Sequence, residues 1–379
     1  MSRKIKIIIA IIAIIAVAVV AVFGVKKQMD KRDVKIGLII PLTGPTGYIG
    51  DSIKRGIETG MTLYGNGLPI QIDCQDSQGF TKNAINAYQH LITVNNPSII
   101  ISGGSSVANT LLPLTEKDKR IHIATAVAAE NFPQQGKKSF RLFLRSDIEA
   151  KQTAEFCYKT LMASSAVVLY VNDDFGKSYL ENFTNTFIAA NKKISLSIGF
   201  EKGQNDFRNI ITKMKSTNFD AIYIISADNL QGFLIKQIRE SGVTQPIVTL
   251  FTILKEENLS GAGQAIEGVY YVATDFDPLS PHANQKEFVA AYLKKYSNKL
   301  PDAYAAFSCD IIHMICNAVK DGNRSSEEIE NYLRMNSFMG VMGKVEFDKN
   351  GDCAFGISVK RIHLDDLESG KGKVFNVKE

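Results

Sequence analysis

The chain has 379 residues, of which 45% are hydrophobic and 22% charged, an ordinary globular balance that excludes a collagen-like or largely disordered protein. Its net charge of +5 is confined to the first 33 residues, where Arg3, Lys4, Lys6, Lys26, Lys27, Lys31 and Arg32 face only Asp30 and Asp33. The rest is balanced, so the basic surface that nucleic-acid binding needs is not supplied and no nucleic-acid partner is expected.

Residues Ile7–Val25 form an uncharged apolar run. At ~1.5 Å per residue it is about 28 Å long as a helix, close to a bilayer core. The basic residues before it predict export with the N-terminus left in the cytoplasm. Two readings stand. One is a cleaved secretory signal, with Ala16-Val17-Ala18 as a weak cleavage site. The other is an uncleaved anchor, favoured by the length of the run and by Lys26-Lys27 after it. No cysteine follows the run, so a lipidated cysteine is not expected. Either way the remainder works outside the cytoplasm, in the periplasm or on the extracytoplasmic face.

From Val34 the chain alternates short apolar runs with helical patterns. The runs are Val34–Ile40, Pro69–Asp73, Ser98–Ser102, His122–Ala126, Ala166–Val171, Ser195–Phe200, Ala221–Ile225 and Pro246–Leu250. Ile49, Ile53, Ile57 and Met61 recur at spacing four, as one face of a helix does; Tyr179, Phe183 and Phe187 do the same. Continuous apolar strands alternating with helices predict parallel sheets covered on both faces, and the length predicts two α/β lobes. The second is expected to open with a helix near Asp147, an N-cap type of residue. After the turn-rich connector through Asp277-Pro278 and Ser280-Pro281 come helical patterns at Gln285–Tyr296, Ala303–Val319 and Ser326–Leu333, then strands at Lys344–Phe347 and Ile357–His363.

Ligands of open α/β sheets sit beyond the carboxyl ends of strands, where helix N-termini offer free N–H groups. The first such loop, Pro41 to Gly50, is Gly-rich and carries Tyr48, but lacks the lysine and spacing of a phosphate loop. It is either a surface turn or a ligand wall. Gly103-Gly104-Ser105-Ser106 opens a helix; Ser105 can cap it, donate to a carboxylate, or both. In the second lobe Phe175 can wall a ligand, and Asp228 is either a cap or a contact. Catalytic constellations are missing, so an enzyme is not expected. Cys309, His313 and Cys316 share a helical face, but Ala306, Ile312 and Val319 extend it, which favours core over metal. The five cysteines read mostly as small buried residues, and no cofactor is expected.

Six segments in order give the chain a resemblance. They are IGLIIPLTGPTGYIGDSIKRGIE (36–58), DSQGFTKNAINAYQHLI (76–92), IIISGGSSVANTLLPLTE (99–116), YVNDDFGKSYLENF (170–183), GQNDFRNIITKMKSTNFDAIYI (203–224) and FMGVMGKVEFDKNGD (338–352). Residues 34–360 resemble the type I periplasmic binding proteins, specifically the leucine/isoleucine/valine-binding branch that feeds ABC importers. The resemblance implies an α/β fold of two similar doubly wound parallel-sheet lobes joined by a three-segment hinge, closing on a ligand. It places residues 34–145 and 277–347 in lobe 1, 147–274 and 357–379 in lobe 2, and leaves 1–33 as the signal or anchor. It implies ligand contacts at Tyr48 (or Ile49), at Ser105 with its neighbour Ser106, at Ala126 and Ala128, and at Phe175, Asp228 and Thr252. Ala128 lacks the hydroxyl that the branch has there. The acid that holds an amino acid's ammonium falls near Thr252, so that charge is missing unless Asp228 replaces it. The implied function is capture of a small organic ligand, first of all an amino acid, for an ABC permease, by a protein expected to be a monomer. The alternative is a membrane-anchored ligand sensor, for an amide or an organic acid, that signals through a partner.

Overall fold

The computed structural model describes residues 33–134, 137–279, 282–297, 299–364 and 375–376. The apolar run Ile7–Val25 and the dipeptide Ser280-Pro281 lie outside them, as does most of the chain after Leu364. Among the described residues no helix is long and apolar enough to cross a membrane.

The first sheet contains β1 (Val34–Ile40), β2 (Ile70–Asp76), β3 (Ile99–Gly103), β4 (Ile121–Thr125) and β5 (Ser139–Arg141), in the order β2-β1-β3-β4-β5. All its pairings are parallel. Between the strands run α1 (Gly47–Tyr64), α2 (Thr81–Val94) and α3 (Ser105–Lys117). The second sheet is built on β6 (Ser165–Val171), β7 (Lys193–Phe200), β8 (Ala221–Ile225), β9 (Ile247–Leu250) and β10 (Tyr270–Thr274). These run parallel in the order β10-β9-β8-β6-β7, and β13 (Ile357–Arg361) adds to β10 antiparallel. Its helices include α4 (Ser146–Lys159), α5 (Asp174–Ala189), α6 (Arg208–Lys215), α7 (Gln231–Glu240) and α8 (Glu256–Ala262). Strands such as Ile99–Gly103 and Ala221–Ile225 are buried at every position because helices cover both faces, which is why they read as unbroken apolar runs.

After β10 the chain returns to the first sheet with α9 (Ala283–Lys295), α10 (Ala303–Lys320) and α11 (Ser326–Met335), then the hairpin β11 (Phe338–Gly340) and β12 (Gly343–Val345). Helix α10 is buried along nearly its whole length, packed on α1. The connections between the two sheets therefore lie around residues 142–145, 275–282 and 346–356.

Two expectations are corrected. The second strand extends to Asp76, because polar Gln75 and Asp76 still pair with Ile39 and Ile40. Helix α4 starts at Ser146 with Arg145 in the cap position; Asp147 lies in the first turn and pairs with Arg145 at 2.6 Å. The five cysteines are free, four of them buried. His313 stacks on Tyr64 with centroids 3.8 Å apart, and no group of three metal-type ligands gathers among the described residues.

Candidate functional site

The carboxyl ends of the two sheets face one another across a cavity of about 620 Å³, its mouth included. Its walls are largely apolar: Pro41, Ile49, Val107, Phe143, Val171, Phe175 and Tyr304. Phe143, just before α4, stacks on Tyr304 at the start of α10 (5.5 Å, 10° between planes), and this pair closes the side next to the connections. The first loop is held by the end of β2: Asp76 accepts the Leu42 N–H at 2.8 Å and the Thr43 hydroxyl at 2.6 Å.

The polar groups come from strand ends. Ser105 is the first residue of α3 and is buried. Its Oγ does not cap the helix. It accepts the N–H groups of Ala128 (3.2 Å) and Ala129 (3.3 Å). A hydroxyl has two acceptor sites and one hydrogen, so with both acceptor sites filled Ser105 still has its hydrogen to donate. The N-terminus of α3 adds its partial positive charge.

Opposite stand Asp173, Lys202 and Asp228. Asp173 caps α5 through the Gly176 N–H (2.9 Å) and pairs with Lys202 Nζ at 2.8 Å. Lys202, after β7, also donates to Gly79 O in the first lobe at 3.5 Å. Asp228 accepts the N–H groups of Gly203 (2.6 Å) and Leu230 (2.7 Å). Burial raises its carboxyl above the ordinary value, against the pull of those two donors and of Lys202. Asp228 is therefore both turn-former and cavity wall.

The expected contacts divide. Ser105, Ser106, Ala126, Phe175 and Asp228 line the cavity together. Ala126 does so in a left-handed conformation, φ 54°. Three others are placed elsewhere. Tyr48 points across the mouth and donates to Ala227 O at 2.9 Å, leaving Ile49 on the wall. Ala128 is buried behind Ser105. Thr252 is buried and donates to Ser226 O at 2.9 Å, supporting the loop that carries Asp228 from beneath. Phe143, Lys202 and Tyr304 were missed. Lys202 directly follows a predicted strand in Glu201-Lys202-Gly203, and its position after β7 was the signal available.

The lobes touch at the mouth. Besides Tyr48, Asn109 donates to Asp174 at 2.8 Å, and Ser106 Oγ accepts the Asp174 N–H at 3.4 Å. The conformation is closed.

This architecture has close counterparts. A leucine binding protein of Thermotoga maritima MSB8 superposes with a TM-score of 0.81 at 24% identity, over 91% of this chain and 98% of that one. A solute binding protein of an ABC transporter from R. palustris, solved with benzoate, gives 0.81 at 18% identity, over 91% and 95%. In sequence, Leu/Ile/Val-binding protein homolog 1 of Brucella abortus (strain 2308) is 23% identical over 328 residues, 84% of this chain and 87% of the relative. Residues 33–354 match the sequence model described as "Periplasmic binding protein". The chain, with its two parallel-sheet lobes closed on a cavity at their strand ends, belongs to the periplasmic binding protein family.

Proposed function

We propose that the protein is the extracytoplasmic solute-binding component of an ABC importer and that its solute is an apolar α-amino acid. The observation that carries this reading is the arrangement of charge in the cavity. Ser105 and the α3 N-terminus offer donors to a carboxylate on one side, Asp228 offers a carboxylate on the other beside the Asp173–Lys202 pair, and apolar walls lie between. An α-amino acid matches each feature: carboxylate at Ser105, ammonium toward Asp228, side chain among Ile49, Phe143, Phe175 and Tyr304. An ammonium beside Asp228 favours that carboxyl's charged form and so offsets its burial; without such a partner, burying the ammonium costs several kcal/mol.

The mechanism is selection between conformations. The open lobes admit the solute, and contacts that it makes with both lobes at once favour the closed state. The names of the relatives, a leucine binding protein and Leu/Ile/Val-binding homologues, support the same class.

The test is a thermal-shift and calorimetric screen of the twenty amino acids and benzoate. We expect an apolar amino acid to stabilise the protein, and Ser105→Ala to lose most of that shift. Stabilisation by benzoate and by no amino acid would replace this reading with an aromatic-acid carrier, and an unchanged shift in Ser105→Ala would take Ser105 out of the site.

A further inference from the structure

Behind Ser105 lies a buried arginine. Arg141, at the end of β5, is 1% exposed, and Asp352, which it faces, is 8% exposed. Asp352 belongs to the connection between β12 in the first lobe and β13 in the second. Arg141 Nε donates to Asp352 Oδ1 at 2.6 Å, and the Arg141 backbone N–H donates to Gly351 O at 2.8 Å. The turn is fixed by Asp348, whose carboxylate accepts the N–H groups of Asn350 and Asp352. Gly351 is required there: its φ is +91°, and a Cβ would overlap the carbonyl oxygen of Ser139.

The same guanidinium holds the loop after β4. Arg141 Nη1 donates to Ala129 O at 2.8 Å and to Val127 O at 3.3 Å. In a trans peptide the C=O and the following N–H are coplanar and point in opposite directions. Fixing Val127 O therefore aims the Ala128 N–H away from Arg141, and there it meets Ser105 Oγ. Fixing Ala129 O likewise aims the Glu130 N–H, which donates to Ser178 Oγ of the second lobe at 3.3 Å. One side chain thus orients a peptide toward the candidate ligand donor and another toward the opposite lobe.

We propose that Asp352 and Arg141 are positioning residues for solute binding: the pair ties the third inter-lobe connection to the 127–130 loop and thereby keeps Ser105 Oγ occupied as an acceptor, with its hydrogen turned to the cavity. Asp352 acts through Arg141 and touches no solute. This inference rests on the reading of Ser105 given above for its functional part, while its structural part stands independently.

The test uses Asp352→Asn and Arg141→Lys. The first keeps the shape and removes the charge. The second keeps the charge but replaces the planar fork with a single point donor. In the ligand-free protein, amide exchange of a peptide covering 126–131 should accelerate in both variants while α10 keeps its protection. Wild-type exchange in folded variants overturns the proposal. With L-leucine as probe, Asp352→Asn should weaken binding roughly tenfold in the Ser105 background and hardly at all in Ser105→Ala, because the two changes break one chain of contacts. Equal losses in both backgrounds overturn the functional part. Accelerated exchange in the variants of a protein that takes none of the twenty amino acids upholds the relay and refutes the amino-acid reading.

Discussion

Tyr48, in the first turn of α1, and Ala227, in the loop after β8, are joined across the mouth of the cavity by a hydrogen bond of 2.9 Å from the phenol to the carbonyl. Burial pushes the phenol well above its ordinary value, so it remains a donor throughout the working pH range. The bond exists only while the lobes are together, and its energy counts wholly toward closure. A bond of this kind is worth about 0.5–1.5 kcal/mol net. Tyr48→Phe should therefore bind the solute roughly twofold to tenfold more weakly, with unchanged melting of the ligand-free protein if that protein rests open. Calorimetric titration measures the first and a thermal melt the second.

Lys202 is the cation among the described residues of the cavity wall, placed between Asp173 and the first lobe. Replacing it with methionine keeps most of the side chain's length and removes the charge that faces Asp173 and Asp228. The lobe-to-lobe contact is lost with it, so L-leucine should bind roughly twofold to tenfold more weakly, the worth of one hydrogen bond made in the closed state. L-Leucinamide, which keeps the ammonium but lacks the carboxylate charge, should lose as much, because the carboxylate sits at Ser105, opposite the lysine. Titrating Lys202→Met with both compounds checks this, and a loss confined to L-leucine would show that the lysine holds the carboxylate and that the solute lies the other way round.

The contrast between Ser105 and Lys202 shows what the sequence made legible. Strands buried on both faces, such as Ala221–Ile225, stand out because every position is apolar, and the loops at their ends follow from the fold class. Ser105 was legible because it opens a helix directly after such a strand. Lys202 was not, because a lysine normally reads as a solvated charge; only the approach of Asp173 and Gly79 turns it inward. Strand β5 escaped because it has only three residues, two of them polar, and Arg141 is buried through partners far apart in sequence. Tyr48 and Thr252, which the resemblance implies as contacts, lie in the first turn of α1 and in the helical turn after β9, and their side chains turn to Ala227 and Ser226, a choice made by tertiary packing.

Glu149, on α4, is fully buried beside Tyr179, whose phenol donates to one carboxyl oxygen; the other, Oε1, has no hydrogen-bond partner among the described residues. Burial outweighs the tyrosine and pushes the carboxyl from its ordinary 4.5 up to about 8. Between these values the unfolded chain releases a proton that the folded protein retains. The stability associated with this group is thus complete below 4.5 and is lost as pH rises through about 8. Glu149→Gln keeps an acceptor for Tyr179 and removes the titration. It should melt like the wild type near pH 4.5 and be more stable at pH 9, by on the order of 5 kcal/mol. Parallel melting curves of the two proteins across this range would show that Glu149 ionises normally.

Helices α1 and α10 meet at Gly56, where an added Cβ would overlap the carbonyl oxygen of Ala305, and again at Gly60, close to Cys309 O and Ile312. The spacing of Ile49, Ile53 and Ile57 reveals one face of α1, but this second face owes its packing to the absence of side chains. Gly56→Ala must push the helices apart or strain them, at a cost of about 1–3 kcal/mol. The displacement has a functional consequence. The N-terminal ends of the same helices carry Tyr48 and Tyr304, packed edge-on with centroids 6.5 Å apart, and Ser52 of α1 donates to Asp302, the cap of α10, at 2.7 Å. Moving α1 relative to α10 shifts the Phe143–Tyr304 wall against Ile49. Gly56→Ala should therefore lower the melting temperature and weaken solute binding together, whereas Tyr48→Phe weakens binding alone. A Gly56→Ala protein that melts like the wild type would show that α1 and α10 are not in contact at this glycine in solution.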